Sequence, residues 1–478
     1  MSGIFTIGEK KVRPGVYYRR ENGGGVELVG ATNGVAAVLF QADWGPLNEE
    51  FDMDPTMANS VADYYGRVET VQAVRELFKG GATTIRAVRI GGDDGAPMEI
   101  ALKNEQSATA VTITAVHPGA RPFTASVRTN LITDMRQVVI YDGAAIFEQY
   151  SFEAGENEPA ALVLAMAHSR NFRAKAEQDA KGPLAAITQQ PLAGGKNPTV
   201  TTASYEKGTD ILERYKWNCI VADTDDNAVH LLLQNFVAQS YQTGHLGFAC
   251  LAGKSSHPLS ERMNQAASFN DEKIVYVLNG WNGSDGARYD GWRAAARIGG
   301  MVAAFESNTS LTHNVITNAV SLAEPLTNGE IIKAETKGCL VLTLNDSDRV
   351  WIDNAINTLV TPNATMDEGW KKIRRTKTRF ELMDRVDSTC EKLVGNVNND
   401  VDGRQTIMAT AQKVINAMVA EKKLLAGSTV YEDPGNPAEG DSAWFKLAID
   451  DIDSAEKIYL SYRFRFAAEI EKESETVE

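Results

Sequence analysis

The chain has 478 residues, of which 43% are hydrophobic and 23% are charged, and its formal net charge is −15. Its length suggests about three domains, and its composition is ordinary for a globular protein with a large buried core. The acidic balance disfavours general nucleic-acid binding, which depends on clustered Lys and Arg, and no apolar run is as long as a membrane span of about 20 residues. We therefore expect neither a nucleic-acid partner nor membrane insertion.

The first predicted element is an extended arm, residues 1–22, which reads KKVRPGVYYRR from position 10 to 20. Pro14 and Gly15 exclude a helix, and the stretch alternates as a strand does. The segment ENGGG follows as a flexible break, so no hairpin partner is adjacent in sequence. The arm is either a frayed terminus or a strand that pairs with another chain. In the second interpretation the intersubunit residues are Val12, Pro14, Val16 and Tyr18.

Residues 34–95 have the pattern of an α/β segment. GVAAVLFQADWG predicts a buried strand, 70–78 a helix that Gly80 and Gly81 stop, and TTIRAVRI a second strand. Residues 96–190 change character, because short alternations rich in Thr, Val and Ala replace this order. They predict a β-rich insertion with a hairpin that turns at Asp142-Gly143 and one helix near 158–168.

The α/β order resumes over 205–360. The strings WNCIVA, HLGFACLA, EKIVYVLNG and KGCLVLTL predict strands, and helices lie between the first three. Asp226 or Asn227 can cap the first of these helices. Strands that alternate with helices indicate a largely parallel sheet covered by helices. The helix RAAARIGGMVAAF is rich in small residues, which favours close helix packing.

The last segment, 361–478, predicts two amphipathic helices, a turn-rich linker and two strands. Met383, Val386, Cys390 and Leu393 mark the first helix, and the second carries Ile407, Ala411, Val414, Ile415 and Met418. WFKLAID is the first strand. In the second strand, KIYLSYRFRF, the apolar side chains on one face are Ile458, Leu460, Tyr462, Phe464 and Phe466.

The predicted fold class is an α/β core, with a mixed, largely parallel sheet flanked by helices, an inserted β-rich domain, an α+β C-terminal domain and extended arms at both ends. The predicted boundaries are 1–22 for the N-terminal arm, 23–95 and 191–360 for the core, and 96–190 for the insertion. The C-terminal domain is 361–478, with its terminal arm strand at 444–466.

The motifs for chemistry are absent from the sequence. Gly253-Lys254-Ser255 is the nearest match to a phosphate loop, but Phe248 stands where the first glycine is required, so we interpret it as a turn after a strand. The six histidines have no HxxxH or HExxH spacing; His245 and His257 could meet in space, although a surface or capping role is the stronger interpretation. No GxSxG elbow occurs. We predict no catalytic residue, no cofactor and no metal.

The four cysteines lie far apart and form no CxxC pair, which argues against a zinc or thioredoxin-like site and predicts free thiols in a reducing compartment. The start MSGIFTIGEKK has no long apolar stretch, so we expect no secretory signal and assembly in a cytoplasm.

One basic run stands out, GWKKIRRTKTRF. It is a solvated edge, a nucleic-acid site or a docking surface for an acidic protein partner; sparse aromatic residues and the negative total charge weaken the second option. Its basic residues are Lys371, Lys372, Arg374, Arg375, Lys377 and Arg379.

The ordered set of segments resembles the contractile tail sheath proteins of simple myophages and contractile bacteriocins. The resemblance covers RPGVYYR, GVAAVLFQADWGPLNE, LAGGKNPTVTTASYEKGTDILE, RAAARIGGMVA, LTLNDSDRVWIDNAINTLV, KIRRTKTRFELMDRVDSTC and AEKIYLSYRFRF. The family's Pro-Pro before the alanine-rich helix is replaced by Asp290-Gly291-Trp292. Each motif alone is weak, and their common order is more specific.

The resemblance implies a structural protein, not an enzyme. Its subunits would stack as hexameric rings around a tail tube and contract, with both arms donating strands to neighbouring copies. The implied partners are other copies of the chain, the tube protein, and baseplate and tail terminator proteins, and the location is the virion tail. The C-terminal domain would face the tube and the insertion would face outward. The alternative is a cytosolic α/β enzyme with an unrecognised site.

The same resemblance makes the basic run, 371–379, a candidate tube contact. It predicts that Arg374→Glu with Arg375→Glu weakens attachment to the tube and leaves the subunit folded.

Overall fold

The computed structural model describes residues 2–4, 12–13, 16–18 and 33–464, and for 2–4 and 16–18 it gives the backbone. Two short strands at the start, β1 (Ser2–Ile4) and β2 (Val16–Tyr18), pair in parallel. The predicted strand character of 16–18 is thus confirmed, but its partner within one chain is β1, which the sequence did not indicate. Val12 is almost fully exposed, and Pro14 lies outside the described residues.

The first half of the α/β core follows. Its elements are β3 (Val35–Phe40), β4 (Glu50–Met53), α1 (Val61–Tyr65), α2 (Gln72–Gly80) and β5 (Thr84–Arg89), with short 3-10 helices at Pro55–Met57 and Glu69–Val71. The strand β3 is buried along its whole length, because VAAVLF carries no polar side chain. Gly81 ends α2 with φ at 109°, and its N–H donates to the carbonyl of Phe78.

The chain then leaves the core. The elements of this excursion are β6 (Glu99–Lys103), β7 (Thr109–Ala115), β8 (Phe123–Thr129), β9 (Arg136–Asp142), β10 (Ala145–Phe152), α3 (Glu158–Ala165), β11 (Phe172–Ala176) and β12 (Ile187–Pro191). The strands form two antiparallel sheets, β10-β9-β8-β12 and β11-β7-β6, which enclose their own apolar cluster around Trp44, Phe123 and Phe172. The predicted hairpin at Asp142-Gly143 and the predicted helix are both present.

The second half of the core contains α4 (Thr202–Leu212), β13 (Cys219–Ala222), α5 (Asn227–Gln242), β14 (Phe248–Ala252), α6 (Leu259–Phe269), β15 (Ile274–Val277), β16 (Trp281–Gly283), β17 (Arg288–Tyr289), α7 (Trp292–Ala304), β18 (Ala319–Leu322), α8 (Asn328–Thr336), β19 (Cys339–Leu340), β20 (Leu342–Leu344) and β21 (Val350–Ile352). As predicted, Asp226 caps α5, accepting a hydrogen bond from the Ala228 N–H. The predicted strand KGCLVLTL divides at Val341: β19 joins the core sheet and β20 pairs with β21.

The core sheet has the order β19-β15-β14-β13-β3-β5-β4, and every pair is parallel except β4 with β5. Because side chains alternate along a strand, each strand contributes to two layers. One layer, which includes Val38 and Val221, packs against α2 and α7. The other, which includes Leu39 and Ile220, packs against α4, α5 and α6.

The contact between α2 and α7 depends on glycine. A Cβ atom at Gly300 would lie 2.2 Å from the carbonyl oxygen of Leu77, and one at Gly80 would lie 2.4 Å from that of Arg297. The close packing that the small-residue helix predicted is therefore confirmed.

The C-terminal part contains α9 (Ile373–Cys390), α10 (Val401–Ala420), β22 (Thr429–Glu432) and β23 (Phe445–Ala448), with 3-10 helices at Glu368–Lys371 and Glu391–Leu393. The apolar faces predicted for the two helices meet in a small cluster that includes Cys390, Ala411 and Met418. The strands β22 and β23 form an antiparallel pair.

The predicted α/β class is confirmed, with a mostly parallel central sheet and several antiparallel sheets; the division into domains remains a prediction. One predicted strand is wrong for the single chain, since 452–464 belongs to no strand and Phe466 lies outside the described residues. A strand needs a partner for its backbone hydrogen bonds, and none pairs with this segment in the described chain. Within the described ranges, no helix is long and apolar enough to cross a bilayer.

Candidate functional site

The carboxyl ends of the parallel strands are where an α/β sheet of this type would bind a ligand. Here the crevice lined by Ala222, His230 and Trp292 leaves no room for a water molecule. Asp223, at the end of β13, accepts hydrogen bonds from the Gln41 N–H (2.7 Å) and the Tyr205 hydroxyl (2.6 Å). Burial raises the pKa of Asp223 to about 6. This carboxylate therefore holds the sheet edge together.

The phosphate-loop candidate is a turn after β14, as interpreted from the sequence. The His257 N–H donates to the carbonyl of Lys254 at 2.9 Å, and the Lys254 side chain is exposed. A Cβ atom at Gly253 would lie 2.0 Å from the Tyr276 hydroxyl. The glycine is thus required by packing against Tyr276.

A cavity of about 210 Å³ lies between the core and α9, lined by Trp217, His245 and Asp384 among others. Its charged groups bind one another: Lys216 pairs with Asp384, and Arg385 pairs with acidic neighbours. Burial, with the charge of Lys216, lowers the pKa of His245. Among the described residues, no group of three or more His, Cys, Asp or Glu is placed to hold a metal.

The basic run spans the end of the 3-10 helix Glu368–Lys371 and the first turns of α9, and the structure places two of its side chains in the interior. Lys377 donates to the carbonyls of Val302 (2.9 Å), Ala303 (2.9 Å) and Phe305 (2.6 Å) at the end of α7. Burial lowers the pKa of Lys377 to about 7. Lys377 thus caps the carboxyl end of a neighbouring helix.

The other buried member is Arg374, which donates to the carbonyls of Ser307 and Asn308, both at 3.2 Å. The loop that follows α7 is therefore held by this side chain. Arg374 has no exposed surface of consequence, since 4% of its area is accessible.

The remaining members of the run are partly buried and form ion pairs. Arg375 binds Asp451 through two hydrogen bonds, 2.6 and 3.1 Å long, and Arg379 lies 3.1 Å from the same carboxylate. Lys372 pairs with Glu456, and Lys371 pairs with Glu368 at 2.6 Å. All six basic side chains thus have partners within the chain, which corrects the interpretation of a solvated edge. The tube contact remains a prediction to which this geometry lends no support.

The double substitution at 374 and 375 is accordingly expected to damage the fold itself. Arg374→Glu would place a carboxylate against the carbonyl oxygens of Ser307 and Asn308, and Arg375→Glu would oppose Asp451. We expect a loss of about 3–5 kcal/mol in the free energy of unfolding, typical of a broken buried charge interaction. Urea denaturation measures it, with Lys371→Gln as the control, because Lys371 is the most accessible of the six basic residues at 33%. A double variant as stable as wild type that has lost tube binding would restore the original interpretation.

The largest exposed apolar segment of the C-terminal part is 458–464, hereafter the C-terminal arm. Its large apolar residues, Ile458, Tyr459, Leu460, Tyr462 and Phe464, are 68–91% accessible. Contiguous apolar exposure of this kind marks an interaction surface. The sequence found these residues through their alternation; the structure places them at the surface, with no strand partner among the described residues.

The β22–β23 pair, hereafter the acceptor hairpin, is the complementary feature. It is a sheet of two strands, with Val430 opposite Leu447, and no further strand pairs with either outer edge in the described chain. Two strands alone are marginally stable, and open edges accept further strands. The sequence pattern WFKLAID predicts β23, whereas β22 carries only the short string TVYE and was not predicted.

Sequence reasoning also missed Asp451 and Glu456. The signal was the acidic string DDIDSAE, which matches in charge the basic run about 75 residues earlier.

Comparisons with known proteins show which proteins this chain resembles in sequence and in fold. The family model described as the phage tail sheath protein central domain matches residues 199–358. An uncharacterized protein of Bacillus subtilis strain 168, YqbK, is 21% identical over an alignment of 483 residues that covers 96% of this chain and 98% of that protein.

Solved structures share the fold at low identity. The crystal structure of the sheath tail protein from Desulfitobacterium hafniense has a TM-score of 0.69 at 18% identity, covering 88% of this chain and 97% of that one. The helical sheath of the anti-feeding prophage in its contracted state has a TM-score of 0.54 at 10% identity, covering 95% and 99%. The resemblance predicted from the sequence is therefore confirmed: residues 199–358 match the central domain of phage tail sheath proteins, and the fold is similar to that of sheath proteins from phage tails and contractile injection systems.

Proposed function

We propose that this chain is the structural subunit of a contractile tail sheath, which polymerises as stacked hexameric rings around a tail tube and contracts to drive the tube through a cell envelope. The observation that carries the proposal is that one subunit has two complementary features. In the described residues, it has an exposed apolar arm without a strand partner and a two-stranded hairpin with open edges.

Strand addition would satisfy both features at once. The C-terminal arm of one copy would extend the acceptor hairpin of the next, with backbone hydrogen bonds holding it and alternate side chains entering apolar pockets. The segment Val16–Tyr18 already has strand geometry and would serve as the second donor, exchanging its pairing with β1 for an intersubunit pairing. Val12 and Pro14 would belong to the same N-terminal donor.

Contraction would be a change between two packings of the same folded subunits, with the extended packing trapped kinetically. Such a machine stores its energy in assembly and requires no nucleotide. The filled crevice at the strand ends supports this proposal over the alternative of an α/β enzyme.

The proposed arrangement places 361–478 toward the tube and the β-rich insertion, 96–190, outward. The insertion has an apolar cluster distinct from those of the core sheet, to which the core segment contributes Trp44, and this supports its treatment as a unit. The proposed partners are other copies of the chain, the tube protein, and baseplate and tail terminator proteins, with assembly in the host cytoplasm and a final location in the virion tail.

Negative-stain microscopy of the full-length chain beside a version that lacks residues 1–20 tests the proposal. We expect hollow, cogwheel-like cylinders for the full-length chain, and rings, dispersed subunits or disordered aggregates for the truncation. If both versions stay monomeric even with a tube protein present, self-assembly is wrong.

A further inference from the structure

The segment 451–456, which leads into the C-terminal arm, lies against the first turns of α9. Asp451 is held by the two-pronged hydrogen bond from Arg375 and by Arg379. Asp367 faces the same two arginines at 3.7 Å from each. Asp453 lies 3.8 Å from Arg374 and is the weakest of these contacts.

The second anchor is Glu456. One of its carboxylate oxygens accepts hydrogen bonds from the hydroxyls of Ser310 (2.7 Å) and Thr312 (2.9 Å), and the other pairs with Lys372. Lys372 itself also donates to the Asn354 side chain at 2.9 Å. Glu456 therefore joins a core loop to the start of α9.

Both anchors keep their charge at neutral pH. Burial acts to raise the pKa of Asp451, but the hydrogen bonds and charges of Arg375 and Arg379 outweigh it, so its pKa lies below the usual value. The same balance holds for Glu456, where Lys372, Ser310 and Thr312 lower the pKa against burial. Partly buried pairs of this kind are screened less by salt than exposed ones.

Half-buried and exposed residues alternate up to Glu456, and exposure is continuous after it. The Glu456 side chain is 12% accessible, whereas every residue from Lys457 to Phe464 is exposed. Glu456 is thus the last described residue before the arm whose side chain is held by contacts within the subunit.

We propose that Asp451 and Glu456, with Lys372, Arg375 and Arg379, form a charge clamp that fixes where the C-terminal arm leaves the subunit, and that Lys457 is the hinge about which the arm reaches a second copy of the chain. The inference rests on the proposed function. The clamp residues are positioning residues: they set the origin of the arm, and the arm makes the intersubunit contact.

Trypsin cleavage of the dispersed full-length subunit tests the clamp itself. Cleavage after Lys457 is compared with cleavage after Arg463, which lies farther along the exposed arm and serves as an internal reference. The quantity measured is the rate of cleavage after Lys457 divided by the rate after Arg463. We expect the double variant Asp451→Asn, Glu456→Gln to raise this ratio about tenfold, the change that corresponds to about 1.4 kcal/mol. The matched control is Asp450→Asn, because Asp450 is exposed and makes no ion pair among the described residues.

Assembly of the same variants tests the positioning role. We expect the double variant to form polymers of irregular diameter or none, and Asp450→Asn to form regular cylinders. An unchanged cleavage ratio, or a raised ratio with regular cylinders, would overturn the proposal. If wild type fails to assemble, the proposed function fails and the positioning role falls with it, while the cleavage ratio still decides whether the clamp restrains the arm. A circular dichroism melt separates both results from misfolding.

Discussion

Replacing Leu460 and Tyr462 together by aspartate is expected to abolish polymerisation while leaving the stability of the single subunit unchanged. Both side chains are about 70% exposed in the described chain, so the folded subunit loses no buried contact. Exposed substitutions of this kind change the free energy of unfolding by less than about 0.5 kcal/mol. In the proposed polymer the same positions enter apolar pockets of the neighbour, where an unpaired carboxylate is strongly unfavourable.

Sedimentation velocity and negative-stain microscopy measure the polymer, and urea denaturation of the dispersed subunit measures stability. Ser461→Asp is the matched control, because it adds the same charge to the opposite face of the arm. We expect it to weaken assembly far less. Regular cylinders from the double variant would show that the C-terminal arm is not the donor, and equal damage from Ser461→Asp would show that the pockets are not face-specific.

A large effect on folding is expected from the ion pair inside the core. Arg297 on α7 lies 2.6 Å from Glu76 on α2, and both side chains are 2% accessible or less. Arg297 also donates to the carbonyl of Thr317 at 3.0 Å, which ties α7 to the loop before β18. Arg297→Met is expected to lower the free energy of unfolding by about 3–5 kcal/mol, because it leaves the Glu76 carboxylate buried with its main partner removed.

Equilibrium unfolding in urea measures this loss. Lys79→Met provides the comparison: Lys79 binds the same carboxylate at 2.7 Å but is 39% accessible, so its removal should cost about 1 kcal/mol or less. The double variant Glu76→Leu, Arg297→Met should recover part of the loss, since no buried charge is then unpaired. Equal destabilisation by Arg297→Met and Lys79→Met would mean that the pair lies in a better solvated site than the structure shows.

The local elements of the core were predictable from sequence because their signals are short-range. The unbroken apolar run of β3 predicts its burial, and Asp226 caps the helix that begins at the next residue. The glycines of α7 permit close contact with a single partner, α2. The division of KGCLVLTL at Val341 was not predictable, because it depends on two sheets that receive its halves.

The basic run illustrates the opposite case. Its charges were interpreted as solvated or free to bind a partner protein, because their partners in the chain are remote in sequence. Asp451 lies 76 residues from Arg375, and Glu456 lies 84 residues from Lys372. A sequence shows the charges of both segments but not their pairing, which arises only when α9 and the segment 451–456 pack together.

By itself, the sequence determined the α/β class, the alternation of the C-terminal arm and the order of motifs that relates the chain to sheath proteins. These properties depend on the order of apolar and polar residues along the chain, which is visible in the sequence. Only the tertiary structure decided that the basic side chains have partners within the subunit, that the hairpin β22–β23 has open edges, and that the arm forms no strand alone. A strand requires backbone hydrogen bonds from a partner, and in the described chain no segment provides them to the arm.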